Sequence, residues 1–219
     1  VRGSFAAVAP HTASMSSRGP STDFFKFPRT PHIFDAGGSG VSRDDLLLDA
    51  REVEALLKAR VSLEEKIDGA NLGISITEEF QVVCQNRSHF VNEESHPQFQ
   101  RLGAWIEERR ADLFRVLEPG RHVLFGEWTY ALHSVKYTSL PDYFLAFDIY
   151  DRALGAFVAR RERDRRLAGT GIRTVPLIAA DVVLGSRDAL LAHLERQSAF
   201  GEGPLEGVYV RVDELSGGG

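Results

Sequence analysis

Three things are scarce in this chain of 219 residues: cysteine, long apolar runs and positive charge in excess. Cys84 is the only cysteine, which excludes an internal disulfide and a cysteine-rich metal site and favours a reducing, intracellular compartment, cytoplasmic or nuclear. No apolar stretch approaches the roughly 20 residues that a membrane helix needs, so no membrane association is expected. The net charge is −5, so any nucleic-acid binding would depend on a local basic patch rather than on overall charge.

The two ends of the chain differ in composition from the rest. Residues 1–22 are rich in Ser, Ala, Gly and Pro, and we expect them to be disordered. They lack the apolar segment of a secretory signal but contain Arg and Ser and no acidic residue, so organellar targeting stays open. Residues 216–219 are expected to be a flexible end or a truncation point. One domain over residues 23–215 remains, and a chain that is 43% hydrophobic can bury one good-sized core.

The hydrophobic pattern predicts mixed helices and strands without regular alternation. Helices are predicted over 42–60 (with Asp44 and Asp45 near the start), 97–117, 159–172 and 186–200, and strands over 61–67, 72–78, 80–88, 121–131, 142–158 and 205–214. The strands on the two sides of "DGAN" are predicted to pair as an antiparallel hairpin, because Asp-Gly is a common turn signal. This arrangement favours an α+β domain built on antiparallel sheets over a doubly wound fold.

The stretch "EEKIDGANLGISI", residues 64–76, carries a candidate nucleophile. Lys66 is predicted at a strand end, and Gly69 would let the backbone pass close to a ligand. A lysine attacks phosphorus only when unprotonated, so its pKa would have to be lowered from about 10.4 by burial or neighbouring cations. The alternative is a solvated lysine beside an ordinary turn, and "KIDG" alone does not separate the two.

Three further stretches place chemically useful residues in strands. Glu127 in "LFGEW" can bond a ribose hydroxyl or face solvent on an alternating strand. Phe147 in "FLAFDIYD" can stack on a purine or fill the core. Glu206 in "EGVYVR" can help to hold a divalent cation or lie in a turn. Each stretch leaves both interpretations open.

In this order the four stretches resemble the covalent nucleotidyltransferase superfamily of ATP-dependent RNA and DNA ligases and mRNA capping enzymes. The resemblance implies an antiparallel-sheet, ATP-grasp-like adenylation domain flanked by helices. It implies Lys66 as the nucleophile, Glu127 as ribose contact, Phe147 as the ring stacked on adenine, and Glu206 with Glu127 on the metal side. The full nucleotide site that it implies, besides Lys66, is Glu64, Glu65, Ile67, Asp68, Gly69, Asn71, Arg87, Glu127, Phe147, Glu206 and Arg211.

The branch implied is that of phage T4 RNA ligase 2, because Asn71 and Arg87 match positions of that type and the chain has no room for the further domain of DNA ligases. The expected cofactors are ATP as substrate and Mg²⁺ or Mn²⁺. The expected partner is RNA with 5′-phosphate and 3′-hydroxyl ends, sealed by a monomer through a lysyl–AMP intermediate. His133 and Lys136 are candidate RNA or phosphate contacts.

One departure from the family keeps other functions open. The family carries a basic Lys-x-Lys-like strand after the Glu-Gly block, and no lysine follows Glu206 here. Either the chain is a piece of a longer protein, or Arg211 or Lys136 substitutes, or formation of the lysyl–AMP adduct is impaired. The alternatives are a nucleotide- or RNA-binding module that has lost catalysis and an mRNA guanylyltransferase-like enzyme using GTP.

Two other segments have candidate roles. The arginines of residues 159–173 are interleaved with acidic residues, so a solvated helix face is favoured over contact with nucleic acid. The aromatic stretch "DFFKFPRTPHIF" is a candidate cover for one side of the nucleotide pocket.

Overall fold

The computed structural model describes residues 4–8, 24–35 and 47–212. The strands are β1 (Ser4–Val8), β2 (His32–Asp35), β3 (Arg60–Lys66), β4 (Ala70–Ile76), β5 (Val82–Gln85), β6 (Phe90–Val91), β7 (His122–Trp128), β8 (Phe144–Asp151), β9 (Ala156–Phe157), β10 (Arg173–Thr174), β11 (Leu177–Val183) and β12 (Gly207–Val212). The helices are α1 (Ala50–Lys58), α2 (Leu102–Val116), α3 (Arg160–Leu167) and α4 (Arg187–Leu194), with one 3₁₀ turn at Pro97–Phe99.

The strands form two mainly antiparallel sheets, which confirms the α+β class. Sheet A has the order β11-β3-β12-β1-β2, and sheet B has the order β10-β8-β7-β4-β5-β6 with β9 added to β8. Among the described strands, β1 pairs with β12 and β10 pairs with β8 in parallel. No described helix is both long and apolar enough to cross a bilayer.

Three apolar clusters hold the sheets and helices together. One lies between α2 and a face of sheet B, and a second packs α1 and α4 on sheet A. The third lies on the opposite face of sheet B, where Phe27 packs on Phe125 and Phe147. Since β7 and β8 are buried on both faces, their sequences read as nearly continuous apolar runs rather than as alternating patterns.

The predicted hairpin around "DGAN" is wrong. β3 pairs with β11 and β12 in sheet A, whereas β4 pairs with β5 and β7 in sheet B. The segment between Lys66 and Ala70 therefore carries the chain from one sheet to the other. Gly69 is needed for a close approach, because a Cβ there would lie 2.8 Å from the carbonyl oxygen of Trp128.

Several predicted boundaries also differ. α1 begins after Asp49, whose side chain accepts bonds from the backbone N–H groups of Arg51 and Glu52 (2.8 and 2.9 Å), so residues 47–49 precede the helix. Asp44 and Asp45 lie outside the described residues. Residues 4–8 of the segment expected to be disordered form β1, while the rest of residues 1–22 and all of 216–219 lie outside the described ranges. Strand β11 was not predicted.

Candidate active site

Lys66 stands at the end of β3, opposite Gly207 of β12 in sheet A. Its ammonium group forms an ion pair with Glu206, and the two side chains are each 23% exposed. Burial, the largest single influence, lowers the pKa of Lys66, but Tyr209, Glu206 and Glu127 together raise it above the ordinary value. The pKa of Lys66 is therefore not lowered as expected, because the carboxylates face the amine. The lysine is protonated in this arrangement.

Two carboxylates share this one lysine. Glu127 lies in β7 of sheet B, and burial raises its pKa to about 8 despite the opposing effect of Lys66. Burial also raises the pKa of Glu206, against the charge of Lys66. One carboxyl oxygen of Glu206, Oε2, is buried and has no hydrogen-bond partner within the described part of the chain. The site thus holds more acid than the lysine alone can balance, which leaves it open to a further cation.

Asp68 faces the connection between β7 and β8, residues 129–143. Its Oδ2 accepts bonds from the backbone N–H and the hydroxyl of Ser134, both at 2.6 Å, and from the N–H of Val135 at 2.9 Å. Its own N–H donates to the hydroxyl of Tyr137 at 2.7 Å. Burial would raise the pKa of Asp68, but these bonds and the charge of Lys66 hold it below the ordinary value. Asp68 therefore fixes this connection beside the lysine as an ionised carboxylate.

A cavity of about 410 Å³ opens beside Lys66, which we call the lysine cavity. The predicted site residues that line it are Lys66, Ile67, Asp68, Gly69, Asn71, Arg87 and Glu127. Both side-chain polar atoms of Asn71 are buried and have no partner among the residues described, so its amide can bond a ligand in the cavity. Arg87 is exposed, and its charge acts on Glu127, which places a cation on the same cavity.

Aromatic rings meet across the gap between the two sheets. Phe147 of β8 and Tyr209 of β12 have ring centroids 6.4 Å apart with planes inclined by 36°. Tyr209 lines the lysine cavity, whereas Phe147 is 4% exposed and packs against Phe27. Tyr209 was missed by the sequence reasoning. The signal that could have found it is the period of two along β12, which puts Tyr209 on the face of Gly207 and hence of Lys66.

Five predicted nucleotide-site residues do not line the lysine cavity: Glu64, Glu65, Phe147, Glu206 and Arg211. Glu206 reaches the cavity through its ion pair with Lys66, and Phe147 is buried as described above, whereas the other three bond to different parts of the protein. Arg211 is buried, pairs with Glu64 and donates to Asp148 at 2.7 Å and to the carbonyl of Phe147 at 3.0 Å. Glu64 is fully buried and also binds Arg163 of α3 at 2.6 Å. Glu65 accepts bonds from the hydroxyl of Ser198 and the N–H of Ala199. Arg211, Glu64 and Glu65 are thus bonded to other residues of the protein and do not face a ligand in the lysine cavity.

His133 and Lys136 lie exposed on the connection of residues 129–143. The charge of His133 acts on Glu206, so this histidine is close to the site, whereas Lys136 is not among the residues that line the lysine cavity. The solvated face predicted for residues 159–173 is found at Arg165 and Arg166, which pair with Glu162. Arg160 and Arg163 depart from this prediction, because their side chains are 7% and 2% exposed.

No group of three or more His, Cys, Asp or Glu side chains suited to a metal occurs among the described residues. A divalent ion here would therefore depend on few protein ligands. The unpartnered Oε2 of Glu206 and the buried carboxyl of Glu127 are oxygen donors of the kind that Mg²⁺ and Mn²⁺ take, and Mg²⁺ commonly uses one or two carboxylates together with substrate phosphates. The residues present fit such an ion.

The chain is similar to known proteins in both sequence and fold. The sequence model of a family described as RNA ligase matches residues 59–218. Solved structures of a Naegleria gruberi RNA ligase have a similar fold. The structure with PPi has a TM-score of 0.57 and 17% identity, and the match covers 72% of this chain and 48% of that chain. The structure of a lysine-to-methionine mutant with AMP and Mn has a TM-score of 0.57 and 18% identity, and the match covers 74% of this chain and 49% of that chain. A lysine-to-alanine mutant with ATP and Mn has a TM-score of 0.56, 16% identity and coverage of 80% and 54%. The chain spans about half the length of these structures, and no curated protein sequence matches it.

Proposed function

The chain belongs to the RNA ligase family, and from this premise we propose that it is an ATP-dependent RNA ligase in which Lys66 carries the AMP. One observation supports this most directly. Lys66 lines a cavity of about 410 Å³, and its amine is paired with Glu206. Glu127 and Asn71 line the same cavity, and the amide of Asn71 has no hydrogen-bond partner among the described residues. A nucleophile therefore lies beside polar groups that are available to a ligand.

ATP fits the lysine cavity by size and by chemistry. Its volume lies within the range of small-molecule sites. Glu127 can accept a bond from a ribose hydroxyl, and Asn71 can both donate and accept. Tyr209 lines the cavity and offers a ring face for the base, and Phe147 lies behind it with the two ring centroids 6.4 Å apart. The similar ligase has been solved with ATP, AMP and PPi, which supports the same substrate for this chain.

In the first step, Nζ of Lys66 attacks the α-phosphorus of ATP. An N–P bond forms, the bond to the β-phosphate oxygen breaks, and pyrophosphate leaves with the electron pair. The lysine must first lose a proton, so its ion pair with Glu206 has to be weakened when the nucleotide enters. A Mg²⁺ or Mn²⁺ ion held by Glu206 and Glu127 would supply positive charge against the phosphates. Arg87 is the other cation on this cavity.

In the second and third steps the AMP moves to RNA and is released. A 5′-phosphate oxygen of RNA attacks the phosphorus of lysyl–AMP, and the N–P bond breaks to return the amine of Lys66. A 3′-hydroxyl then attacks the activated 5′ end, AMP leaves, and a phosphodiester forms. Asp68 holds the connection of residues 129–143 in place beside these reactions through its bonds to Ser134 and Val135.

The ion pairs of Arg211 favour a second candidate, a nucleotide- or RNA-binding module without catalysis. Arg211 was a possible substitute for the missing basic strand, but its guanidinium group is paired with Glu64 and Asp148 and does not line the lysine cavity. Among the described residues that line the lysine cavity, Lys66 and Arg87 are then the only Lys or Arg side chains. Such a module would bind ATP and gain thermal stability from it without forming an adduct.

Labelling separates the candidates. The protein is incubated with α-labelled ATP or GTP and Mg²⁺ and then denatured and run on a gel. We expect label from ATP on the wild type, none on Lys66→Met, and full labelling of Lys58→Met, whose lysine is exposed on α1. Label on Lys66→Met would refute the nucleophile. Label from GTP alone would indicate a guanylyltransferase, and a rise in Tm with ATP but no label would indicate the binding module.

A further inference from the structure

A second cavity of about 520 Å³ lies next to the lysine cavity, inside the connection of residues 129–143, and we call it the tyrosine cavity. Tyr130, Tyr137 and Tyr143 line it, together with the carboxylates Asp68 and Asp142. None of the functions assigned above uses it. Asp68 lines both cavities, so the two sites meet at this residue.

The walls of the tyrosine cavity are fixed at several points. The N–H of Thr129 donates to the carbonyl of Tyr143 at 2.8 Å and closes the base of the connection. Asp142 accepts bonds from the indole of Trp105 at 2.8 Å and from Arg109 at 3.1 Å, which ties it to α2. The hydrogen bonds of Asp68 hold the opposite side. The cavity is therefore a built feature of the fold and not a gap in a loose loop.

The lining of the tyrosine cavity suits a nucleoside better than a phosphate. Among the residues that the structure describes, no Lys, Arg or His side chain lines it. Tyr143 is 40% exposed and meets Tyr130 edge to face with centroids 5.1 Å apart, so ring surface is open to a base. Bases stack on such rings with little dependence on sequence, and hydroxyl groups of a ribose can donate to carboxylates. The volume lies in the range that ligand sites occupy.

We infer that the tyrosine cavity binds the 3′-terminal nucleoside of the RNA strand whose hydroxyl is joined. This inference rests on the proposed function. A 5′ end brings phosphates and AMP, which need the cations Lys66 and Arg87 of the lysine cavity. The 3′ end presents a nucleoside with free hydroxyls, and a cavity that shares Asp68 with the lysine cavity places it beside the activated phosphorus. His133 and Lys136, exposed on the same connection, are available to the phosphate that precedes it.

Photocrosslinking tests where the 3′ end binds without requiring catalysis. RNA with 4-thiouridine at its 3′ terminus is irradiated with the full chain, and the crosslinked peptide is mapped. We expect the crosslink within residues 129–143, and its loss in Tyr143→Ala but not in Leu154→Ala, an exposed apolar residue on the turn after β8. No crosslink, or a crosslink elsewhere, would overturn the inference. So would crosslinking of a photoreactive ATP to residues 129–143, since the cavity would then hold the nucleotide.

A kinetic assay distinguishes failure of this inference from failure of the proposed function. Lysyl–AMP formation is measured without RNA, and sealing is measured without ATP on RNA that already carries AMP at its 5′ end. Tyr143→Ala is expected to raise the KM for the 3′-hydroxyl strand roughly tenfold, and Tyr143→Phe to restore most of that loss, because stacking needs only the ring. A wild type that forms no lysyl–AMP contradicts the proposed function. Normal lysyl–AMP formation with an unchanged KM in Tyr143→Ala contradicts the tyrosine cavity alone.

Discussion

The buried arginine of α3 offers a demanding test of how the two sheets are held together. Arg163 has a side chain that is 2% exposed and donates to Glu64 at 2.6 Å and to the carbonyl of Phe147 at 2.5 Å. Glu64 is fully buried in sheet A, and Phe147 belongs to sheet B. The perturbation that isolates this contact is Arg163→Met, which keeps most of the apolar stem and removes the guanidinium.

The expected cost follows from what the substitution leaves behind. Glu64 would keep Arg211 as its remaining cation, and the Phe147 carbonyl would lose one of its two donors. Removing one partner of a buried ion pair typically destabilises a protein by about 3–5 kcal/mol. This range applies here because Glu64 and Asp148 would have to share Arg211, which leaves one more buried carboxyl group than cations. Total stabilities lie at about 5–15 kcal/mol, so this loss is a large fraction of the whole. Arg165→Met, on the exposed side of the same helix, is the matched control and should change stability little.

The pH dependence of the loss sharpens the test. Burial would raise the pKa of Glu64, but Arg211 and Arg163 hold it below the ordinary value of 4.5. A carboxylate with a lowered folded-state pKa stabilises the protein above its ordinary pKa, and this stabilisation is lost as the pH falls through the lowered value. The penalty of Arg163→Met comes from the ionised form, so it should be largest at neutral pH and shrink below about pH 4.5.

Urea unfolding, followed by circular dichroism and by the fluorescence of the two tryptophans, measures both effects. The midpoint should fall in Arg163→Met at pH 7 with little change in the slope of the transition. A loss below about 1 kcal/mol at pH 7, or a penalty that grows as the solution is acidified, would refute the account of a buried network around Glu64. A similar loss in Arg165→Met would show that the helix as a whole, rather than its buried arginine, is responsible.

Two further predictions concern packing in sheet B. Gly126→Ala should destabilise the protein by about 1–3 kcal/mol in the same urea assay, because the new Cβ would lie 2.5 Å from the ring of Phe144. Gly203→Ala is the control, because no described atom lies within 4 Å of a Cβ placed there. Equal stability of the two variants would contradict this prediction. Burial raises the pKa of the Cys84 thiol to about 12. The native protein should therefore not react with a thiol reagent at pH 8, whereas the urea-unfolded chain should react. Fast reaction of the native protein would contradict the burial of this thiol.

The sequence predicts most element types but not how they associate. The strands around Lys66 are predicted to within two residues of their observed ends, although β3 and β4 are buried along most of their length and do not alternate between a buried and an exposed face. The sequence pattern also cannot report the partner strand. Asp-Gly indicated a hairpin, yet the chain leaves sheet A and enters sheet B at this point. β11 was missed because it alternates poorly and has register shifts in its pairing with β3.

The candidate site was predicted best where residues are close in sequence. Lys66, Asp68, Gly69 and Asn71 follow one another through the crossing between the sheets, so their common position on the lysine cavity is a local property. The fate of Arg211 is not local. It depends on Glu64 of the neighbouring strand and on Asp148 of sheet B, and Glu64 in turn is shared with Arg163 of α3. No period along β12 can specify these partners.

The occupation of Arg211 changes the charge balance at the lysine cavity. Lys66 and Arg87 face Asp68, Glu127 and Glu206 there, so the cations do not exceed the acids even if Glu127, with a pKa of about 8, is protonated at neutral pH. A triphosphate would enter a site with no excess positive charge, and like charges in a partly buried site repel strongly. For the described residues, the proposed reaction therefore places more of the charge compensation on a divalent ion at Glu206 than on any arginine of β12.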